Sequence, residues 1–299
     1  MKIGVIAEFN PFHKGHKYLL ESIKNKYPNS YLIIALSSDY VQRGEIACMS
    51  WEDRALAAKK FGADEVIPLD FYTSTQAAHI FAEGAINTLL KKEIDMLIFG
   101  ASDGDKPEKY VNAATAIKNN LEIYNKVLKQ TLKTGRSFVY SAYESLKQLI
   151  GEENIPTDIL GLEYAKYIIF NNLSIKIDTI KRTIDHNSEM GMENYAPASV
   201  IRKMLANNED VSQYIPIQIK KDYPKIEDKY LDFQKIVKEK TPQELSEIHL
   251  MSEGMENLFK KNIDLPTYEE FVEACTSKRY THSRIKRVIL YTLLQIKKS

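Results

Sequence analysis

Short apolar runs alternate with amphipathic segments over the first hundred residues of the chain. The apolar runs lie at 3–9, 30–38, 64–70 and 95–102. They are continuous, which is typical of strands buried on both faces. The segments between them space their apolar residues as helices do, and they cover 15–27, 51–62 and 74–92. This alternation predicts right-handed βαβ units, and hence a parallel α/β sheet with helices on both faces.

Polar segments follow three of the predicted strands. They are residues 8–16, 37–44 and 99–105. Because ligands of an open parallel sheet bind outside the carboxyl ends of its strands, we expect these segments to converge on one crevice.

The rest of the chain changes character near residue 210. It is predicted to contain helices over 107–150, a helix after Pro156, a strand at 174–182 and a short helix at 197–208. Beyond this point the sequence is rich in Lys, Glu, Tyr and Leu, and it has no clear strand pattern. We therefore predict an α/β domain at 1–208 and a smaller helical domain at 209–299.

Composition narrows the class of protein further. The 299 residues include 41 basic and 40 acidic side chains, so a nucleic-acid partner has to be argued from local patches. Two distant cysteines, Cys48 and Cys275, fit a reducing compartment and neither a disulfide framework nor a zinc site. With no apolar run near the ~18 residues of a membrane span and no signal-peptide pattern, we expect a cytoplasmic protein without membrane contact. No pattern indicates an oligomeric state.

The segment "EFNPFHKGHKYLL" joins the first predicted strand to the first helix. Unpaired N–H groups and the positive end of the dipole make such a helix start a phosphate site. His13 and His16 lie on one side of the first turn, and Gly15 lets a nucleotide approach the backbone. The two histidines are either ordinary helix-start residues or phosphate ligands, and the glycine after a buried strand favours phosphate binding. Their spacing provides no third ligand for a metal site.

A second possible phosphate contact begins the helix at 197–208. Ser199 can cap this helix, and Arg202 can bind phosphate with two parallel hydrogen bonds. Arg43 and Gly44, after the second strand, either line the same crevice or form a surface turn.

These motifs resemble those of a known superfamily. "HKGH" at 13–16 resembles the H-x-G-H signature of nucleotidylyltransferases, and "SVIR" at 199–202 resembles their later S-x-x-I-R element. The segments "VQRGE", "DMLIFGASDGD", "PTDILGLEY", "TIKR" and "KRYTHSRIKRVILYTLL" follow in the order found in the bacterial tRNA(Met) cytidine acetate ligase family. The resemblance runs through nearly the whole chain.

The resemblance implies a Rossmann-like nucleotidylyltransferase domain and a two-step reaction. ATP and acetate form acetyl-adenylate and pyrophosphate, and the acetyl group then passes to N4 of the wobble cytidine of elongator tRNA(Met). Mg²⁺ is expected to accompany ATP, and no protein metal site is expected. His13 and His16 are expected to be catalytic. The implied ATP-binding residues are Ala7, Glu8, Phe9, Asn10, Pro11, Phe12, His13, Lys14, Gly15, His16, Lys17, Tyr18, Leu19, Leu20, Gly100, Asp158, Arg182, Ser199 and Arg202.

A basic segment near the end of the chain is interpreted in the light of this resemblance. Cations beside Tyr280 suit phosphate contacts and base stacking on RNA. The expected tRNA-binding residues are Lys278, Arg279, Arg284, Lys286 and Arg287. A solvated helix start is the alternative.

Two other functions are compatible with parts of the sequence. An adenylyltransferase that acts on a small phosphorylated metabolite would keep the histidine turn but leave the basic segment unexplained. A catalytically silent RNA-binding protein on this fold would keep the basic segment alone.

Overall fold

The computed structural model describes residues 1–183, 194–220 and 223–298. Seven strands are present in these ranges: β1 (Lys2–Ala7), β2 (Tyr31–Leu36), β3 (Tyr40–Val41), β4 (Glu45–Ile46), β5 (Glu65–Pro68), β6 (Met96–Ala101) and β7 (Lys176–Lys181). Five of them form one sheet in the order β5-β2-β1-β6-β7, with every pair parallel. The parallel α/β sheet predicted from the apolar runs is therefore confirmed.

The helices of the first two thirds of the chain surround this sheet. They are α1 (Lys14–Lys26), α2 (Trp51–Lys60), α3 (Phe71–Ser74), α4 (Ala78–Leu90), α5 (Pro107–Asn119), α6 (Leu121–Lys133), α7 (Phe138–Ile150), α8 (Ile159–Phe170) and α9 (Ala198–Ala206). Five more follow: α10 (Tyr230–Glu239), α11 (Pro242–Ser246), α12 (Met255–Asn262), α13 (Tyr268–Cys275) and α14 (His282–Leu293). Short 3₁₀ turns occupy Glu152–Asn154 and Glu227–Lys229.

Both faces of the sheet are buried, as the unbroken apolar runs predict. In β2, Leu32 and Ile34 pack into one core, whereas Ile33 and Ala35 pack into the opposite one. Residues of α1, α2 and α9 complete the first core, and residues of α4, α5 and α8 complete the second. This double cover leaves the carboxyl ends of the strands as the open edge of the domain.

The helix predicted at 74–92 begins later in the structure. Asp70 caps the short helix α3 by accepting a hydrogen bond from Thr73 N at 2.8 Å. The buried Thr75 hydroxyl lies 2.8 Å from the Tyr291 hydroxyl in the C-terminal part of the chain. Because this contact occupies the segment between the two helices, α4 starts only at Ala78.

The C-terminal helices enclose a core of their own. Val211 and Ile215 still pack against the sheet, whereas Ile226 and Phe233 belong to the helical core. The apolar contacts therefore change from one core to the other between residues 223 and 226, and the domain boundary at 208 stays a prediction.

The helical part packs against the loop that follows β2. This loop folds into the antiparallel hairpin β3–β4, which the sequence did not predict. A Cβ on Gly44 would lie 2.5 Å from the backbone nitrogen of Arg287, and the φ of Gly44 is +77°. Glycine is therefore required here by both the conformation and the close approach of α14.

Candidate active site

A cavity of about 260 Å³ opens at the carboxyl edge of the sheet. The turn after β1, the loop after β2, the last residues of β6 and the segment that follows β7 meet there, so the predicted convergence is confirmed. Fourteen of the nineteen residues predicted to bind ATP line it: Ala7, Glu8, Phe9, Asn10, His13, Gly15, His16, Tyr18, Leu19, Gly100, Asp158, Arg182, Ser199 and Arg202. Arg43, whose place the sequence left open, lines it as well.

The other five predicted residues lie beside the cavity and do not line it. They are Pro11, Phe12, Lys14, Lys17 and Leu20. The side chains of Phe12 and Leu20 are fully buried in the core under the sheet. They support the histidine turn from below, and their contact with ATP stays a prediction.

The two histidines cap the first turn of α1 reciprocally. Nδ1 of His13 accepts a hydrogen bond from Gly15 N at 3.1 Å, and Nδ1 of His16 accepts one from His13 N at 3.3 Å. The two rings stack with their centroids 3.7 Å apart. Because each Nδ1 is an acceptor, a neutral ring carries its proton on Nε2. The turn therefore presents two Nε2–H donors with fixed ring orientations.

Gly15 has a local role that its sequence context did not reveal. A Cβ at this position would lie 2.9 Å from Cε1 of His13. Glycine is thus needed for the His13 ring to fold over the start of the helix.

Arg182 is fixed on one side of the cavity by two partners. Its Nη2 lies 2.7 Å from Oδ1 of Asp158, and its Nε donates to the carbonyl of Gly100 at 3.0 Å. A Cβ on Gly100 would lie 3.3 Å from Cγ of Arg182, so the glycine makes room for this side chain. Asp158 also accepts a hydrogen bond from Ser102 N at 2.8 Å. In this structure Asp158 therefore orients a cation at the cavity wall.

Arg202 of α9 is the other arginine of the cavity wall that the sequence predicted. Its Nη1 donates to the carbonyl of Asn10 at 2.7 Å, and its Nη2 lies 3.8 Å from Oε2 of Glu45. Lys286 of α14 also contacts Glu45, at 2.7 Å. Burial acts to raise the pKa of Glu45, but Lys286 and Arg202 outweigh it and lower that pKa. Glu45 is thus an ionised link between the cavity and the C-terminal helices, and no motif in the sequence indicated it.

Glu8 supplies a second carboxylate to the cavity. It accepts a hydrogen bond from Gln42 N at 2.9 Å. Desolvation raises its pKa, against the opposing effects of that hydrogen bond and of Arg202 and Arg43.

Arg54, which no sequence motif indicated, holds the loops of this edge together. It is fully buried in α2. Its Nη1 donates to the carbonyls of Glu8 and Ser37 at 2.7 and 3.1 Å, and its Nη2 donates to the carbonyl of Ser38 at 2.8 Å. One side chain thus ties the segments that leave β1 and β2.

The structure separates the five basic residues predicted to bind tRNA. Lys278 and Arg279 are exposed before α14. Arg284 donates to the Ser252 hydroxyl at 2.6 Å, and Lys286 pairs with Glu45.

Arg287 lies deeper than its neighbours in this basic segment. It donates to the carbonyl of Gln42 at 3.0 Å, and burial lowers its pKa to about 10. Four of the five basic side chains thus make contacts within the chain, since Arg279 also lies 3.1 Å from Glu253, and their role in tRNA binding stays a prediction.

Within the described ranges, no three His, Cys, Asp or Glu side chains are grouped as a metal site would need. Among the same residues, no helix has both the length and the apolar character that a bilayer crossing requires.

The fold and the site together define a nucleotidyl transferase. The family model described as "HIGH Nucleotidyl Transferase" matches residues 1–299. A tRNA(Met) cytidine acetate ligase of Mycoplasmopsis synoviae is 47% identical over 302 residues, covering 100% of this chain and 98% of the relative. A protein of the same name from Mycoplasmopsis pulmonis is 47% identical over 298 residues, covering 99% and 100%. The chain therefore belongs to the tRNA(Met) cytidine acetate ligase family, and the resemblance seen in its sequence is confirmed.

Solved structures agree with this assignment. The crystal structure of Thermotoga maritima TmcAL bound with alpha-thio ATP matches with a TM-score of 0.86 at 27% identity. The match covers 99% of this chain and 75% of that one. An apo form of the same protein matches with a TM-score of 0.89 at 26% identity, covering 99% and 76%.

Proposed function

We propose that the protein joins acetate to tRNA(Met) at the expense of ATP, through an acetyl-adenylate. The observation that carries this proposal is the convergence of two stacked imidazoles and two arginines on one cavity of a chain that belongs to this ligase family. Elongator tRNA(Met), with its wobble cytidine as acceptor, follows from the names of the relatives and from the family resemblance.

In the first step, an acetate oxygen attacks the α-phosphorus of ATP. The bond from that phosphorus to the bridging oxygen breaks, and pyrophosphate leaves with the electron pair. Negative charge grows on the phosphates, and donors fixed in advance stabilise it without reorganisation. The Nε2–H groups of His13 and His16, together with Arg182 and Arg202, supply such donors. Acetate is already ionised at neutral pH, like other carboxylates, so this step requires no base.

In the second step, the exocyclic amine of cytidine attacks the acetyl carbonyl. The carbon–oxygen bond to the phosphate breaks, AMP leaves, and the amine loses one proton. The cavity walls include Phe99 and Tyr164, and these apolar side chains limit the access of water to the anhydride.

Mg²⁺ is expected to enter with the triphosphate. It keeps most of its water and takes one or two carboxylates where it binds a nucleotide. Glu8 and Asp158 are the carboxylates that the described cavity wall offers, and Asp158 is engaged with Arg182. These residues therefore fit a Mg²⁺ ion that enters the cavity bound to ATP. We also infer a cytoplasmic location, where ATP and tRNA are both present.

Lys278 and Arg279 are the basic residues of the C-terminal segment that we propose as direct tRNA contacts. Both are exposed, and Arg279 lies 3.1 Å from Glu253 in a pair that is half open to solvent. A surface pair of this kind is weak, so a phosphate can displace the carboxylate.

The proposed function is tested by two assays on the purified protein. Exchange of labelled pyrophosphate into ATP should require acetate, and labelled acetate should then reach a single cytidine of tRNA. Exchange that requires a phosphorylated metabolite would point to an adenylyltransferase instead. Tight RNA binding without ATP turnover would point to a silent binding protein.

Two substitutions of His13 separate catalysis from folding. Asparagine is a good N-cap residue, so His13→Asn should keep α1 capped, whereas His13→Ala should lose about 1 kcal/mol of stability. Both variants lack the Nε2–H donor, and the loss of one such donor lowers the rate about 10²- to 10³-fold. Acetate-dependent exchange should therefore fall equally in both, with tRNA affinity unchanged. Normal exchange in His13→Asn would remove His13 from the catalytic residues.

A further inference from the structure

Exposed apolar side chains cluster at the starts of three helices. Large hydrophobic side chains on a surface are informative where they form a patch, and these are 41–50% exposed. They form what we call the apolar rim, which consists of Ile80 of α4, Phe138, Val139 and Tyr140 of α7, and Ile159 of α8.

The apolar rim lies at the edge of the sheet where the cavity opens. Helices that lead to the next parallel strand begin at the carboxyl edge, and α4 and α8 lead to β6 and β7. Ile159 stands between Asp158 and Leu160, which both line the cavity. The ring of Phe138 lies 5.7 Å from that of His79, so the first turn of α7 packs against the first turn of α4.

A basic helix face borders this rim. The hairpin of α6 and α7, residues 121–150, carries five basic and two acidic side chains. Lys126, Lys129 and Lys133 are exposed and recur every three or four residues, so they share one face of α6. At the turn of the hairpin, the guanidinium of Arg136 lies 4.8 Å from the ring centre of Tyr140. Cations and exposed rings are thus adjacent.

We propose that the apolar rim and the basic face of α6 form the surface that receives the unpaired loop of the RNA substrate. Unpaired bases stack on the rings of Phe138 and Tyr140, while the lysines of α6 contact the phosphates. RNA loops are commonly recognised through aromatic stacking of splayed bases. The positive charge beside the rings favours a polyanion over an apolar protein partner. This inference rests on the proposed function. It places the RNA loop at the opening of the cavity in which acetyl-adenylate would form.

The chain offers a matched control for a test of this surface. Leu121 and Ile123 are exposed to 42% and 50% on the same hairpin. They lie at the far end of α6, about 18 Å from the turn at ~1.5 Å per residue. The double variant Phe138→Ala/Tyr140→Ala is therefore compared with Leu121→Ala/Ile123→Ala.

The affinity for unmodified tRNA(Met) is measured by filter binding with both variants. The rim variant should bind on the order of tenfold more weakly for each stacked base it loses, and the control variant should bind like the wild type. The variant Phe138→Tyr/Tyr140→Trp keeps both aromatic rings and should bind tRNA like the wild type. The variant Phe138→Leu/Tyr140→Leu lacks the rings and should bind as weakly as the alanine variant. Replacing the three lysines with alanine should reduce the slope of log K against log salt by about 2.

Acetate-dependent pyrophosphate exchange is measured in parallel and should be unchanged in every variant. Absence of exchange in the wild type would refute the proposed function. The tRNA affinities of the variants would then still decide whether the apolar rim binds RNA. Equal tRNA affinity of the rim and control variants would overturn the inference about the rim. So would a wild-type dimer that the rim variant dissociates while its tRNA affinity is unchanged.

Discussion

Replacing Arg54 with methionine tests how the carboxyl edge of the sheet is held together. The guanidinium is fully buried and donates to the carbonyls of Glu8, Ser37 and Ser38, at the ends of β1 and β2. Its Nε also donates to the carbonyl of Met49, at 3.1 Å, just before α2. Methionine fills a similar volume without any donor, so these carbonyls lose the hydrogen bonds that join the three segments.

The size of the effect follows from the number of acceptors. A buried acceptor left without a donor costs about 1–3 kcal/mol, and three or four of them are affected here. This loss is partly offset, because burial of the guanidinium is itself unfavourable and lowers the pKa of Arg54, and the substitution removes that unfavourable burial. We therefore expect Arg54→Met to lose about 3–5 kcal/mol of unfolding free energy.

Urea unfolding followed by circular dichroism measures this loss. With an m-value of about 3 kcal/mol/M, the midpoint should fall by about 1 M or more. Lys59→Met on the exposed side of the same helix is the control, and it should change stability by less than about 0.5 kcal/mol. Arg54→Lys should be intermediate, since one ammonium cannot reach the ends of both strands. If the unfolding free energy of Arg54→Met lies within about 1 kcal/mol of the wild-type value, Arg54 does not hold these carbonyls as described.

Two further predictions concern residues of the cavity wall. A Cβ on Gly161 would lie 2.5 Å from Cε2 of Phe99 and 2.7 Å from Cε1 of Tyr110. Overpacking costs about 1–3 kcal/mol, which should outweigh the higher helix propensity of alanine. Calorimetry should therefore show a melting temperature a few degrees lower for Gly161→Ala. An unchanged melting temperature would contradict this packing. Because burial raises the pKa of Glu8, the folded state binds its proton more tightly than the unfolded chain. The unfolding free energy of the wild type, measured by urea unfolding, should therefore fall relative to that of Glu8→Gln as the pH rises from about 5. A difference between the two proteins that stays constant with pH would contradict this prediction.

The sheet and the histidine turn could be predicted because their signals are local. Continuous apolar runs identified four strands of the main sheet, the strand predicted at 174–182 is the fifth, and the spacing of His13, Gly15 and His16 identified the turn. These features depend on residues within a few positions of one another. The reciprocal cap of the two histidines was not foreseen, although its cause, two acceptor nitrogens at a helix start, is equally local.

Long-range contacts of charged side chains could not be read from the sequence in the same way. Arg54 lies in an amphipathic helix, where a charged residue is normally exposed, and only the strand ends above it explain its burial. Glu45 meets Lys286 across 241 positions of the chain. Because of this contact Lys286 is paired within the chain, although it lies in a segment rich in basic residues.

Carbonyl and carboxylate groups hold the two arginines of the cavity in place. Arg182 donates to the carbonyl of Gly100 and pairs with Asp158, and Arg202 donates to the carbonyl of Asn10 and pairs with Glu45. The Gly100 carbonyl lies in β6 and is fixed by the sheet, so it sets the position of the Arg182 guanidinium, whereas Asn10 lies in the turn between β1 and α1. The carboxylate balances the charge of the guanidinium and can share it with a phosphate that arrives. Side chains that are held by such contacts need little reorganisation when charge develops on the phosphates.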